Sequence, residues 1–331
     1  MINEPGDLMT SLVTTMTHEA RIVRHAGLAY TRARREAGLA VVERALRGYF
    51  DWRAAAAAGR GGAGLPDIVR SWRTAELLSV NAQGWGELRV GTRGLRLRLD
   101  GTPELLHLGA HGVPAFAVIY YRALVSALMR AAGLPGDVRA EWRETTLTLE
   151  AGEAPEPADE VRPAVALSGE EGLALLRATS ENRGALLVFL GRTAEQTFGA
   201  DGEQMYREAV RGFGAERGEA MRLDHLSKGL TLDLRNMMEL YDSGGNEDVW
   251  QYRDEGVLTP AQWSQDCTFC PFVRPWNDLD GLRYGEIYDH EFHVAQFKAY
   301  REDIEVKWGE LQSRGDATCE FRFSITGALP V

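Results

Sequence analysis

Two of the chain's three cysteines stand in "CTFCPF", Cys267 to Phe272, and the third, Cys319, lies in "GDATCEFRF". A CxxC step brings two sulfurs close enough to hold one Zn²⁺, and Cys267, Cys270 and Cys319 would form the sulfur part of such a set. His290 and His293, three apart on one helical face, could complete it. Zinc or no cofactor at all is therefore the expectation. A dithiol redox site needs its CxxC at the start of a helix in a βαβ setting. Here Pro271 follows and "FVRPWND" does not read as a helix start, which weighs against that chemistry.

The third chemistry is acid–base work on a small C–N ring. Cys270 would serve as nucleophile or positioning thiol, and Glu291 with His290 or His293 would move protons, since a group near neutrality suits transfer both ways. Arg274 or Arg283 could grip a substrate carboxylate with a guanidinium fork. Trp276 and Tyr288 would wall the pocket. Cys319 alternates with Phe321 and Phe323, so it also reads as a core side chain. His107 and His111, at a helix entrance, fit capping or hydrogen bonding. His18, His25 and His225 sit in charged helices and are expected at the surface.

These residues need a scaffold, and the sequence carries signs of a repeat. His25–Tyr49 lies over Phe189–Phe213 without gaps at an offset of 164. Gly27 meets Gly191, Gly38 meets Gly202, Ala45 meets Ala209, and Arg47–Gly48 meets Arg211–Gly212. Farther on, Trp142 falls beside Trp308. Each half reads as amphipathic helices, an irregular Gly-rich stretch, a helix (about 113–132, then about 285–300) and a terminal β-hairpin. In the first half the hairpin turn is expected in "AGEAPEPADE" and the return strand in "VRPAVAL". In the second half the strands are "DIEVKWGEL" and "TCEFRFSI". The expected fold is α+β: two tandem α/β modules packed as a pseudo-twofold pair, residues 1–167 a supporting half and 168–331 the half with the Cys/His/Glu site.

With 331 residues, 44% hydrophobic and 26% charged, the chain has the composition of a globular protein with room for two cores. "VPAFAVIYYRALVSALM" is broken by Arg122 and reads as a buried helix, so no membrane partner is expected. Three cysteines and no visible secretory signal suggest the cytoplasm. Residues 1–167 hold 20 Arg and 19 acidic residues, whereas 168–331 hold 17 basic and 29 acidic ones. An acidic second half disfavours nucleic acid.

The segment from about Asp266 to Ile325 resembles the L-2-amino-thiazoline-4-carboxylic acid hydrolase family in "CPF" (270–272), "GEIYDHEF" (285–292) and "GDATCEFRF" (315–323). It is also similar to the 4-vinyl-reductase domain, a small-molecule-binding α/β module, and "HGVPAFAVIYYRALVSALMRAAGLPGDVRAEWRETTLTLE" resembles that module without its cysteines. The resemblance implies a small-molecule enzyme acting on C–N or C–S bonds, by hydrolytic ring opening or the related closure. The alternatives are a ligand- or metal-binding module without chemistry, or a subunit that stabilises a partner enzyme. Expected partners are a small-molecule substrate and a second copy or an enzyme subunit.

Overall fold

The chain opens with a helix that cannot run straight. In the computed structural model, which describes residues 5–72, 86–109, 114–153, 169–241, 249–253 and 256–326, α1 (Pro5–Gly61) breaks at Arg35, where φ is 49° and ψ −124°. In the second half α5 (Gly169–Phe198) and α6 (Ala200–Ser227) are separated at Gly199, with φ 59° and ψ −135°. The two breaks stand 164 residues apart and use the same left-handed geometry.

The succession of elements after each break is also alike. The first half continues with α2 (Leu65–Ser71), β1 (Gly86–Val90), β2 (Gly94–Asp100), α3 (Pro103–Leu108), α4 (Ala115–Ala131), β3 (Val138–Arg143) and β4 (Thr146–Gly152). The second continues with α7 (Leu234–Glu239), β5 (Gln251–Tyr252), β6 (Val257–Leu258), β7 (Gln262–Phe269), α8 (Val273–Asp278), α9 (Leu282–Tyr300), β8 (Ile304–Trp308) and β9 (Cys319–Ile325). Both sheets are antiparallel. The first has the order β1-β2-β4-β3 and the second β5-β7-β9-β8, with β6 also on β7. The α+β class is as expected.

Two details differ from the reading above. The first-half hairpin turns at Glu144–Thr145, inside what reads as one strand, because Thr146–Gly152 is already the return strand. The expected turn in 151–160 and strand 161–167 lie largely or wholly outside the described residues, as does a boundary at 167. The Gly-rich stretches also hold strands, β1–β2 and β5–β7, that complete each sheet.

Helix α4 is buried around most of its circumference, and Phe116, Tyr120, Leu124 and Leu128 share one core with Leu95, Leu97, Leu147 and Leu149. One continuous core runs from these strands through the long helices to Trp276, Tyr284 and Phe292. A second cluster, Met221, Phe297, Tyr300, Ile304 and Phe323, lies beneath the second sheet. Among the described residues no helix is long and apolar enough to cross a membrane.

The halves meet along the long helices. A Cβ on Gly48 would lie 3.1 Å from the ring of Phe189, and one on Gly212 would lie 2.7 Å from Nδ1 of His25. Shifting either pair by 164 residues gives the other. Arg34 in turn lies over the ring of Phe198, its own counterpart at the same offset, 5.6 Å away.

Arg35 holds without a glycine a backbone conformation that Gly199 adopts at no steric cost. Arg35→Gly should therefore stabilise the chain by about 1 kcal/mol, relieved strain of about 1–3 kcal/mol outweighing the added freedom of the unfolded chain. A urea midpoint that falls instead would show that this turn carries no strain.

Candidate functional site

Antiparallel pairing sets Cys267 of β7 directly opposite Cys319 of β9, which places both side chains on one face of the sheet. Both are buried, and with Leu311 they form a small apolar cluster against which Cys270, Trp250, Trp308 and Phe321 pack. Cys270 enters from the turn after β7. That turn leads from Phe269 through Cys270–Phe272 into α8, so "FVRPWND" does open a helix after a strand, contrary to the reading above. The surrounding sheet is antiparallel, so the described residues form no βαβ unit around it. The turn is pinned from behind: a Cβ on Gly184 of α5 would lie 2.9 Å from Cα of Phe272, and the Trp276 indole donates to the Gly184 carbonyl at 3.1 Å.

Burial keeps the three thiols protonated. It pushes Cys267 up to about 12, and Cys319 is raised for the same reason. Cys270 is raised well above the ordinary thiol range by burial, then by its two neighbouring sulfurs and Asp289. Cys267 donates to the Phe269 carbonyl at 3.3 Å, and Cys319 Sγ accepts from the Gln312 amide at 3.2 Å. Among the described residues no group of three or more His, Cys, Asp or Glu side chains is arranged to hold a metal ion.

The carboxyl beside the thiols is Asp289 on α9. It is buried and accepts a 2.6 Å hydrogen bond from Ser313. Burial outweighs that bond and raises its pKa to about 7. One turn later, His293 Nδ1 lies 2.8 Å from the Asp289 carbonyl. A carbonyl only accepts, so the proton sits on Nδ1 and Nε2 keeps its lone pair. Burial lowers this imidazole to about 4, so it is neutral through the physiological range.

His290, Glu291, Arg274 and Arg283 are held by partners outside the thiol cluster. His290 lies against Trp308, ring centroids 4.4 Å apart and tilted by 57°, and accepts from Arg314 at 2.7 Å; burial, then the Arg314 charge, lowers its pKa. Glu291 lies on the α6 side, held by Arg207 at 2.9 Å and by Arg211. Burial alone would raise it, but hydrogen bonds from Arg211 and Arg207 hold it low. Arg274 is exposed and pairs with Glu181 at 3.5 Å and Asp278 at 3.7 Å. Arg283 pairs with Glu195 at 2.7 Å and with Glu203. Trp276 and Tyr288 are buried, both in contact with Phe272, and Tyr288 also lies near the Arg183 guanidinium.

Two further histidines correct the surface reading. His18 and His225 are each 1% exposed. His18 receives Arg183 at 3.1 Å, and His225 Nδ1 lies 2.9 Å from the Tyr300 hydroxyl. His25 is mostly buried and bonds Glu216 at 2.6 Å. His107 is lowered to about 4, chiefly by burial; His111 lies outside the described residues. The sequence reading passed over Asp289, Ser313 and Arg183. Only Asp289 left a signal, standing one helical turn before His293 in "YDHEFH".

The sequence model of the L-2-amino-thiazoline-4-carboxylic acid hydrolase family matches residues 180–323. That span holds all three thiols, Asp289, His293 and Arg183. No curated protein and no solved structure gives a significant match.

Asp289 and His293 act on stability with opposite signs. Between about 4 and 7 the unfolded chain has lost the Asp289 proton and the folded chain keeps it, so stability falls as pH rises. Between about 4 and 6.5 the unfolded chain carries the His293 proton and the folded chain does not, so stability rises with pH. The two slopes offset each other over most of this window. Asp289→Asn should leave the histidine slope exposed, making stability climb by up to ~1.4 kcal/mol per pH unit more steeply between about 4.5 and 6.5. Urea midpoints at four pH values read this directly; parallel profiles for the two proteins would count against a buried neutral Asp289.

Proposed function

We propose that the second half, 168–331, hydrolyses a C–N or C–S bond in a small amino-acid-derived compound such as a cyclic amidine. The observation that carries this reading is Asp289: a carboxyl buried beside three thiols, with a pKa about 7, inside the span matched by the hydrolase family. Such a group can both take and return a proton at neutral pH. As carboxylate, Asp289 accepts a proton from the attacking water. The water oxygen bonds the amidine carbon and Asp289 returns that proton to the C=N nitrogen. Asp289 then takes the hydroxyl proton as the carbonyl forms, the ring bond to the departing atom breaks, and the proton passes to that atom. Substrate and water together equal the opened product, so no other reactant is needed. The reverse sequence closes the ring.

Cys270, the most accessible of the three thiols, positions the substrate in this scheme, because a raised thiol pKa leaves little thiolate to attack. Glu291 has a structural part, neutralising Arg207 and Arg211 between α6 and α9. No step of this scheme runs through a metal.

We further propose that 1–167 and 168–331 are tandem copies of one module, of the kind that the 4-vinyl-reductase likeness implies, paired about a pseudo-twofold axis. The matching breaks at Arg35 and Gly199, the like sheet orders and the exchanged contacts Gly48–Phe189 and Gly212–His25 support it. A Cβ on Gly38 would meet the carbonyl of Tyr30 at 2.1 Å, and one on Gly202 the carbonyl of Ala194 at 2.1 Å, again 164 residues apart. The first copy has no cysteine and serves as support.

With 2-amino-thiazoline-4-carboxylate as substrate, Asp289→Asn should lower kcat by ~10²–10⁴-fold, while Cys270→Ala should act mainly on KM. The wild-type kcat/KM should rise to a plateau above about pH 7, following ionisation of Asp289. Asp289→Asn with undiminished turnover would remove this mechanism, and a wild type inert on cyclic amidines would favour a ligand-binding role.

A further inference from the structure

Arg183 is a cation taken out of water, and no described carboxylate pairs with it. It is 4% exposed on α5, its guanidinium 4.7 Å from the Phe272 ring and 6.0 Å from that of Trp250. One nitrogen donates to His18 Nδ1 at 3.1 Å. Its Nε is buried without a hydrogen-bond partner, and so is Oγ of Ser180, which is fully buried one turn earlier on the same helix. Among the described residues no carboxylate lies within ion-pairing distance of Arg183; Glu19 is near enough to favour its charge but farther than that. Leaving such groups unmatched is costly.

The first half shows what an arrangement of this shape contains when it is closed. Glu19 stands 164 residues before Arg183. It is 3% exposed and accepts from Tyr49 at 3.0 Å and Tyr120 at 2.8 Å, with Arg53 at 3.9 Å. The residue 164 after Arg53 is Arg217, also 3% exposed and close enough to Arg183 to disfavour its charge. Tyr120 corresponds to Tyr288 by the same shift that relates Phe116 to Tyr284, the rings against Gly27 and Gly191. The second half thus keeps the arginine and the tyrosine but exchanges the internal carboxylate for a second guanidinium.

We propose that Arg183, with Ser180 and Tyr288, binds the carboxylate of a small-molecule ligand, which takes the part that Glu19 takes in the first half. The identity of that ligand as the hydrolysed substrate rests on the function proposed above; its binding does not. Arg183 is then the specificity-determining residue, selecting acids over their neutral analogues, and Cys270 and Asp289 face the remainder of the molecule.

The test is calorimetric binding of 2-amino-thiazoline-4-carboxylate and of its carboxamide to the Asp289→Asn protein, in which turnover is suppressed. The carboxylate should bind at least ~10-fold more tightly than the amide. Arg183→Met and Arg183→Glu should each weaken carboxylate binding by ~10–100-fold and leave the amide little changed. Arg183→Glu, whose carboxylate would face Arg217, serves where Arg183→Met folds poorly. Equal binding of acid and amide, no binding of either, or an Arg183→Glu protein that binds the acid as before would each overturn the assignment. Charge-selective binding that Arg183→Glu abolishes, in a wild type without turnover, would uphold the site while the hydrolase reading falls. Turnover whose KM is unmoved by Arg183→Glu would do the reverse.

Discussion

How closely two helices approach is set by the smallest side chains between them, and in this chain that constraint is met by glycine. On α6, a Cβ on Gly214 would lie 2.5 Å from the Phe292 carbonyl and one on Gly218 would lie 2.0 Å from that of Gln296. On α5, Gly184 admits the backbone of Phe272 and Gly191 admits the ring of Tyr284. Helix α9 and the cysteine turn can therefore sit directly on the α5–α6 pair. At these separations little water remains between the elements, so every charged group on the facing surfaces must find its partner within the protein or in a ligand.

The distribution of buried charge follows from that closeness. Glu19 with Arg53 and the tyrosines, Glu216 with Arg24 and His25, and Asp289 with Ser313 are local solutions to one problem. Asp289 is relieved by holding its proton, since a serine hydroxyl compensates a buried negative charge only in part. The cysteines belong to the same set: a protonated thiol is a small, weakly polar side chain that an apolar cluster accepts readily. Buried protonated thiols and a protonated Asp289 thus stand together in a half whose overall balance is acidic.

Much of the scaffold was legible because its signals are local. The helical periodicity of 115–131, the alternation in 319–325 and the recurrence at an offset of 164 are read within short windows. The first-half hairpin was missed for a local reason too. Its turn is made by Glu144 at φ 52° where a glycine or asparagine would announce it, so "VRAEWRETTLTLE" reads as one unbroken strand. The histidines of α1 and α6 were misplaced because a helix that is charged on average still has a buried face, and His18 and His225 lie on it. The site itself mixes the two cases. Proximity of Cys267 and Cys270 is written in their spacing, whereas their meeting with Cys319 depends on strand register and that with Asp289 on how α9 lies over the sheet. Glu291, two residues after Asp289, turns toward α6 and its arginines, a direction that nothing in its immediate sequence specifies.

The matched span begins at Ser180, well inside α5 (Gly169–Phe198), and that helix buries its residues against α1 of the other half. A sequence likeness and a folding unit therefore have different edges here. A fragment cut to the likeness would lose the first turns of its central helix and expose Leu186, Leu187 and Leu190, all fully buried in the intact chain. The first half contributes no thiol, but its α1 packs along α5, the helix whose Gly184 admits the cysteine turn.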